Sequence, residues 1–568
     1  MDDAGVAACV AGLQAFSALP PEERALPRYK GIRTLLFPLL DELRGRFNHG
    51  KGSSDVREEH AERRFRHAKR QREQGANTRS PTFSTHYVIA QDASLLNSRV
   101  LRARRLDRLA ELTESTGVKG LIPDGTVETP DDPAAPSPSL LIEDVCDVAD
   151  SPAAPQSSSV AAGSPAPSAS DEVPLLNTPR SCYTCRGRFR ELHFFYDALC
   201  PPCAKLNYSK RLQTARLDGR IAIVTGARVK IGYQTALRLL RAGATVIATT
   251  RFPVDASTRF AAEKDADQWQ SRLQIVGLDF RDVLQVERFA LFAQRNLPHL
   301  DIIINNACQT IRRPAGFYEH LLSQEKLDNV PEAAAPFIGW HQKLHAAAQL
   351  EAAAPGASSP SASSSLAAVN PSAALSQLAL LPDDHGRDEA LFPSNALDTN
   401  SQQIDLRRHN SWLMTLAEVS TPELLEVMTI NAVAPFILNA KLKELLLRSP
   451  HTARYIINVS AMEGKFYRHK SPCHPHTNMA KAALNMLTRT SADEYAQDRI
   501  YMNAVDTGWI NDEKPLEASR RHADNHNFQT PLDEVDAMAR ILDPIMVGEN
   551  EGVFLYGKFL KDFAETEW

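Results

Sequence analysis

From Leu217 onward, short runs of consecutive apolar residues alternate with stretches whose apolar positions recur at helical spacing. Ile221–Thr225 is one such run. A glycine-containing turn, a helical pattern from Tyr233 to Ala242 and a second run at Ala244–Thr249 follow it, which predicts a β-α-β unit. Further strand-like runs at Leu273–Gly277, Asp301–Ile304, Tyr455–Val459 and Ile500–Val505 are each separated by helical stretches. Strands apolar on both faces need helices on both faces, so the pattern predicts an α/β fold with a doubly wound parallel sheet.

The rest of the chain follows other patterns. Leucines near helical spacing in Ile32–Leu43 and Leu101–Leu112 predict a small helical region over residues 1–125. Within it, Arg57–Gln74 is dense in Arg, Lys, Glu and His, the composition of a solvated helix face, with nucleic-acid contact as the lesser reading. Residues 126–178 turn to Pro, Ala and Ser and read as a disordered linker, because such a segment buries too little apolar surface to offset ordering entropy. Ala346–Leu380 repeats this bias, and residues 316–400 are expected to be a loop insertion in the sheet domain spanning 215–568.

Composition narrows the function. A chain of 568 residues should hold about three folded units. Its formal charge of −5 gives no global reason to bind nucleic acid or an anionic membrane. No apolar run approaches the roughly 18 residues that span a bilayer, and Met1-Asp2-Asp3 lacks the flank of a secretory signal; the expectation is a soluble, cytoplasmic protein, with the nucleus as the alternative. Four of the eight cysteines form two pairs, Cys182-x-x-Cys185 and Cys200-x-x-Cys203, fourteen residues apart. Four thiolates at this spacing suit a tetrahedral Zn²⁺ at about 2.3 Å, and a full sulfur set leaves no position for water, so the metal would be structural in a module over residues 179–208. A redox pair at Cys200 and Cys203 is the alternative, without the strand-helix context such pairs use. Phe194, Phe195 and Tyr196 are expected to form the module's own core, although with Arg186, Arg188 and Arg190 they also suit a protein partner.

In Thr225-Gly-Ala-Arg-Val-Lys-Ile-Gly232 a strand leads through a turn into a helix start, where free N–H groups favour a pyrophosphate. With Asp279, Asn305-Asn-Ala307, Asn431, Ser460, Lys481 and Gly508 following in order, the segment from Leu217 to the C-terminus resembles the short-chain dehydrogenase/reductase family, apart from the unmatched stretch 316–400. The resemblance implies a Rossmann fold in which Thr225, Gly226, Ile231 and Gly232 line the pyrophosphate, Asp279 meets adenine, and Asn305 and Ala307 flank the adenosine ribose. The family's middle glycine is Lys230 here, which either obstructs the dinucleotide or sets its ammonium on phosphate. Arg251 stands where an acidic residue would accept the 2′-hydroxyl of NAD, and with Arg228 it points to NADP(H), NAD(H) being the alternative.

For the chemistry, the resemblance implies that Ser460 holds the substrate oxygen, Asn431 supports a water relay and Lys481 contacts the nicotinamide ribose. The family's Tyr-x-x-x-Lys phenol is Thr477, whose hydroxyl is too weak an acid. Tyr467, His474 and His476, in the lengthened loop before it, are the substitutes to consider, with the histidines as plain turn residues the competing reading. Gly508 follows the sixth strand in a loop that normally covers the nicotinamide, with Thr507 where proline is usual. The expected function is NADP(H)-dependent oxidation or reduction of a small-molecule carbonyl/alcohol pair; the alternative is an inactive dinucleotide-binding sensor or scaffold that engages partners through the zinc module. The resemblance also suggests homo-oligomers formed through the helices carrying Asn431 and Lys481.

Overall fold

A computed structural model describes residues 91–116, 174–352, 370–385, 388–394, 396–398, 402–466, 470–511, 513–515 and 528–568. The basic stretch Arg57–Gln74 and the linker 126–173 lie outside them.

The described chain runs through β1 (Leu175–Ser181), β2 (Arg188–Glu191), β3 (Ile221–Thr225), β4 (Thr245–Thr250), β5 (Leu273–Gly277), β6 (Ile302–Asn305), β7 (Arg454–Ser460), β8 (Ile500–Asp506), β9 (Phe559–Lys561) and β10 (Ala564–Thr566). The helices that matter here are α1 (Val100–Thr116), α2 (Pro201–Leu212), α3 (Lys230–Arg241), α4 (Pro253–Ala261), α5 (Val283–Asn296), α6 (Ala315–Leu322), α7 (Gly339–Ala352), α8 (Thr421–Lys441), α9 (Pro475–Gln497) and α10 (Glu534–Glu551). Eight strands form one sheet in the order β5-β4-β3-β6-β7-β8-β9-β10, parallel except for β10. All six expected strands are present. The strand order reverses at β3, which makes its carboxyl end a ligand crevice.

Period-two alternation splits each strand between two cores. Ala222 and Val224 pack with Leu237 and Leu240 of α3 and Ile541 of α10, whereas Ile221 and Ile223 pack with Phe289 of α5 and Leu438 of α8. Helix starts are set locally. Asp282 accepts the amides of Leu284 and Gln285 at α5, and Asp533 with Asp536 forms a reciprocal capping box at α10. By length and composition α8 is apolar enough to cross a bilayer, contrary to the reading of the sequence, with a mean hydropathy of 1.3 over its best window. That window is 56% buried, because Ile430, Ala434 and Leu438 cover the sheet.

Two expectations change. The helical pattern at Leu101–Leu112 does not stand apart: α1 joins the four-cysteine module, with the amides of Val100 and Leu101 donating to the carbonyls of Phe194 and Phe195 at 3.2 and 3.1 Å. Leu96 and Leu101 share a core with Leu176, Phe189, Phe195, Tyr196 and Leu199, and the buried Arg102 pairs with Asp197 at 3.2 Å. Phe195 and Tyr196 are core, as expected, while Phe194 is 53% exposed. The insertion, for its part, is not simply a loop. Phe337 enters the sheet core, Glu325 accepts the amides of Val254 and Asp255 at the start of α4, and His341 of α7 accepts the amide of Gly277 at 3.1 Å. It leaves β6 and β7 paired side by side, so the domain is interrupted without being split. At the opposite, amino edge of the sheet, Asp301 accepts the amide of Ile221 at 2.7 Å, the Ser449 hydroxyl at 2.5 Å and His299 at 3.2 Å, with Arg220 at 3.8 Å. His299 and His451 flank Asp301 there, with their ring centroids 5.9 Å apart.

Burial lowers the His341 pKa from 6.5 to about 4, so the unfolded chain takes up the proton first as the medium acidifies. The stability this residue contributes is complete above pH 6.5 and lost as pH falls toward 4, amounting to about 2 kcal/mol between pH 7 and pH 5. Urea titrations at the two pH values should show a smaller acid loss for His341→Gln than for the parent; an equal loss would refute the assignment.

Candidate active site at the carboxyl edge of the sheet

The crevice is built from the ends of β3 and β6. The Thr225 hydroxyl donates to the carbonyl of Ile304 at 3.2 Å and accepts the amides of Asn306 and Ala307, each at 2.9 Å. Asn306, which sequence reasoning passed over as part of a longer motif, donates its amide to the carbonyls of Thr225 and Gly226 at 3.0 and 3.2 Å. Gly226 has φ +67°, and a Cβ there would lie 2.9 Å from Ala307 Cα; one at Gly232 would lie 2.2 Å from the Gly226 carbonyl oxygen. Both glycines are therefore required by close backbone approach. Lys230 holds the left-handed backbone that its usual glycine would, with φ +54°. Lys230 also borders a cavity of about 370 Å³ beside the start of α3, shared with Arg108, Arg228, Tyr233, Gln234 and Arg259. Val229 precedes α3 without a side-chain cap, and Ile231 anchors the first turn on the core.

At the adenosine end every expected group already has a partner. Arg251 donates to the Tyr318 hydroxyl at 2.9 Å and to Ser376 at 3.3 Å, both from the insertion. Arg228 pairs with Asp255 at 2.8 Å and stacks on Phe252. Asp279 is gripped by Arg281 at 2.6 Å. Burial alone would raise the Tyr318 phenol, but Arg251, Arg313 and Arg281 around it hold its pKa below the usual value.

At the reacting end, Ser460 closes β7 and donates to Asn485 at 2.6 Å, while Lys481 on α9 donates to the Val459 carbonyl at 2.9 Å. Asn431 lies in a π-turn, Thr429–Val433, inside α8, and its amide binds both backbone groups of Gln309, at 2.8 and 3.0 Å. It ties down the loop after β6. Asn305 is not turned to a ribose: it donates to Asn439 and Asn458, each at 2.8 Å, in a buried amide network.

Of the substitutes for the phenol, Tyr467 lies outside the described residues. His474 caps α9 with φ +46°, stacks on Trp412 at 3.9 Å and bonds its carbonyl at 2.9 Å, which is a structural role. His476 differs. It is buried, neither ring nitrogen has a hydrogen-bond partner among the described residues, and Glu423 of α8 lies 3.6 Å away. Burial would raise the Glu423 pKa, but the nearby His476 ring and the Ser411 hydroxyl keep it low. Thr477 Oγ1 is likewise buried and without a partner among the described residues.

Two further carboxylates were missed. Glu423 carries no local signal in sequence, since it meets His476 only through helix packing. Asp506 ends β8 opposite Ser460, accepts the amides of Met462 and Gly508, each at 2.9 Å, and burial raises its pKa. Its place directly before Thr507-Gly508, at the end of an apolar run, was the available clue.

The four cysteines converge as their spacing predicts. Their sulfur atoms all lie within 4.8 Å of one another, Cys185 and Cys200 at 3.6 Å, and the Cys200 amide donates to Cys182 Sγ at 3.3 Å.

Comparison with known proteins agrees with this geometry. The family model described as short chain dehydrogenase matches residues 220–330, and that described as Enoyl-(Acyl carrier protein) reductase matches residues 404–555. The chain belongs to the short-chain dehydrogenase family. Uncharacterized protein R665 of Acanthamoeba polyphaga mimivirus is 30% identical over 386 residues, 64% of this chain and 71% of that one. Dehydrogenase/reductase SDR family member 13 of Bos taurus is 36% identical over 120 residues, 20% of this chain, and retinol dehydrogenase 11 of Mus musculus 34% identical over 110 residues, 19% of this chain. The chain spans only 29% and 34% of those two dehydrogenases. Among solved structures, the Pseudomonas aeruginosa RhlG/NADP active-site complex aligns at 18% identity over 61% of this chain and 95% of that one, with a TM-score of 0.35.

Asn306→Ala should cost about 1 to 3 kcal/mol, because it leaves the carbonyls of Thr225 and Gly226 without their shared donor. Chemical denaturation measures this; an unchanged midpoint would show that the turn does not depend on Asn306.

Proposed function

We propose that the chain is an NADP(H)-dependent oxidoreductase acting on a small carbonyl or alcohol. The observation that carries the reading is the crevice at β3 and β6, where two glycines pack too closely for any side chain beside an uncapped helix start. That cradle fits a diphosphate, and Lys230, in the same turn between the two glycines, adds a positive charge. Arg251 and Arg228 would hold the extra phosphate once they exchange Tyr318 and Asp255 for it. Bound here, the cofactor supplies or accepts the hydride. Ser460, released from Asn485, donates to the reacting oxygen, and Lys481 keeps a positive charge at that edge. His476, oriented by Glu423, replaces the phenol as the proton donor, with Thr477 between it and Lys481 in the chain.

The second reading, a dinucleotide-binding sensor or scaffold without turnover, is favoured by Thr477 and by the pairing of Arg251 with the insertion. The four-cysteine cluster is proposed to hold structural Zn²⁺, in keeping with its convergent sulfurs and the amide donated to Cys182 Sγ.

Calorimetry should detect NADPH binding that Gly232→Ala abolishes and Arg251→Ala weakens about tenfold or more; no binding by the parent would remove both readings. A carbonyl panel then separates them. NADPH oxidation lost on His476→Ala and reduced about 100-fold by Ser460→Ala supports the enzyme, and tight binding without turnover supports the sensor. One equivalent of zinc per chain is expected by elemental analysis, and none in Cys182→Ser with Cys203→Ser; a metal-free parent would refute the zinc assignment.

A further inference from the structure

We propose that the four-cysteine module clamps the loop after β8, which walls the reaction edge beside Ser460, and that Tyr183 in its first knuckle is the positioning residue that makes the clamp. The loop leaves the sheet at Asp506, in register with Ser460, so its backbone borders that serine. Its first two free amides are held from opposite sides. The Gly508 amide donates to Asp506 at 2.9 Å, a contact from the sheet, and the Trp509 amide donates to the Tyr183 hydroxyl at 2.8 Å, a contact from the module. Packing agrees with the hydrogen bonds. A Cβ on Gly508, whose φ is +77°, would stand 2.6 Å from Leu532 and 3.5 Å from the Tyr183 oxygen, and Leu532 is fully buried in the module's core. Farther along, Thr530 donates to the Ile510 carbonyl at 3.0 Å, and Arg105, beside the module, bonds the carbonyls of Thr530 and Leu532.

The module can bear on this loop because it is fixed elsewhere. Arg211 of α2 pairs with Asp533 at 2.5 Å and Asp536 at 3.0 Å, Tyr196 donates to Asp536 at 2.5 Å, and Lys210 pairs with Asp543 at 2.6 Å, all on or at the start of α10. Tyr183 is placed by the knuckles. It lies between Cys182 and Cys185, its amide donates to the Ala198 carbonyl at 2.9 Å, and Cys182 donates to Gly187 at 2.9 Å around the left-handed Arg186. A module of some thirty residues needs its metal to hold such a turn. Metal bound at the thiolates therefore fixes Tyr183, and Tyr183 fixes Trp509. The metal-dependent half of this proposal rests on the zinc reading; the Tyr183 half does not.

Hydrogen–deuterium exchange on the full chain tests both halves without a substrate. Tyr183→Phe keeps the ring against Lys561 and deletes only the acceptor oxygen. Exchange at residues 508–511 is expected to rise about fivefold or more in this variant, with metal content and protection of β3 and α3 unchanged. Chelation of the parent's metal should give at least the same rise there, and Cys185→Ser, which alters the exposed ligand, should reproduce it. Trp509, whose ring lies tilted against Phe528 at 4.7 Å, supplies a parallel fluorescence readout. Unchanged protection in Tyr183→Phe overturns the clamp. A rise in that variant but none on chelation overturns its metal dependence, and a parent free of zinc overturns the zinc reading while the Tyr183 result still decides the clamp.

Discussion

The close approach of the β3 and β6 ends is the constraint from which the crevice follows. Strand order reverses at β3, so the helices connecting its two neighbours leave on opposite faces, and a gap opens between the strand ends. Such a gap is useful only if the chain turns sharply enough not to fill it. Thr225 and Asn306 enforce that turn with hydrogen bonds, and Gly226 and Gly232 permit it by having no Cβ. Lys230 shows how strict the requirement is. A lysine accepts the left-handed backbone there, at a cost of about 1 kcal/mol, where the two neighbouring glycines could accept no side chain at all.

Much of this was legible in the sequence, for reasons that differ by element. The six central strands could be read because burial on both faces demands unbroken apolar runs such as Ile221-Ala-Ile-Val-Thr225. Cys182, Cys185, Cys200 and Cys203 could be read because thiolate chemistry ties spacing to geometry. β9 and β10 could not: at three residues each they are too short to carry a period, and they pair only because β8 offers them an edge. The insertion misled for the opposite reason. Its Ala/Ser/Pro bias is real, yet a few residues, Glu325, Phe337 and His341 among them, find partners on the sheet domain that no local pattern announces.

The candidate site divides in the same way. Ser460 ends a strand and Lys481 lies in a helix, the positions that the resemblance implied, but their hydrogen bonds to Asn485 and Val459 depend on packing. Asn305 was expected beside a ligand and is instead absorbed by Asn439 and Asn458. Its two N–H donors both find buried amide acceptors, which an open crevice would not supply, while its Oδ1 has no partner among the described residues. His476 and Glu423 are also polar groups buried with hydrogen-bonding capacity left over, and unlike Asn305 they are titratable, so they gain most from a proton or a ligand.

The pairing of Arg251 with Tyr318 bears on selectivity in the same physical terms. A guanidinium donating to a phenol meets a neutral acceptor, whereas a phosphate brings a full opposite charge and can be gripped by two parallel N–H donors at once. A ligand carrying an extra phosphate can therefore displace Tyr318, while one offering only a ribose hydroxyl replaces one neutral partner with another and gains little. Because Tyr318 belongs to α6, which packs Phe317 and Leu321 with Phe252, Ala373 and Phe392, that exchange would be felt by the insertion as a whole. On the proposed NADP(H) reading, the insertion is thus the part of the chain that makes phosphate the discriminating feature of the cofactor. On that reading, and with the proposed clamp on the loop after β8, the four-cysteine module would bear on the other end of the crevice, so that the two additions to the sheet domain would act on opposite ends of one dinucleotide.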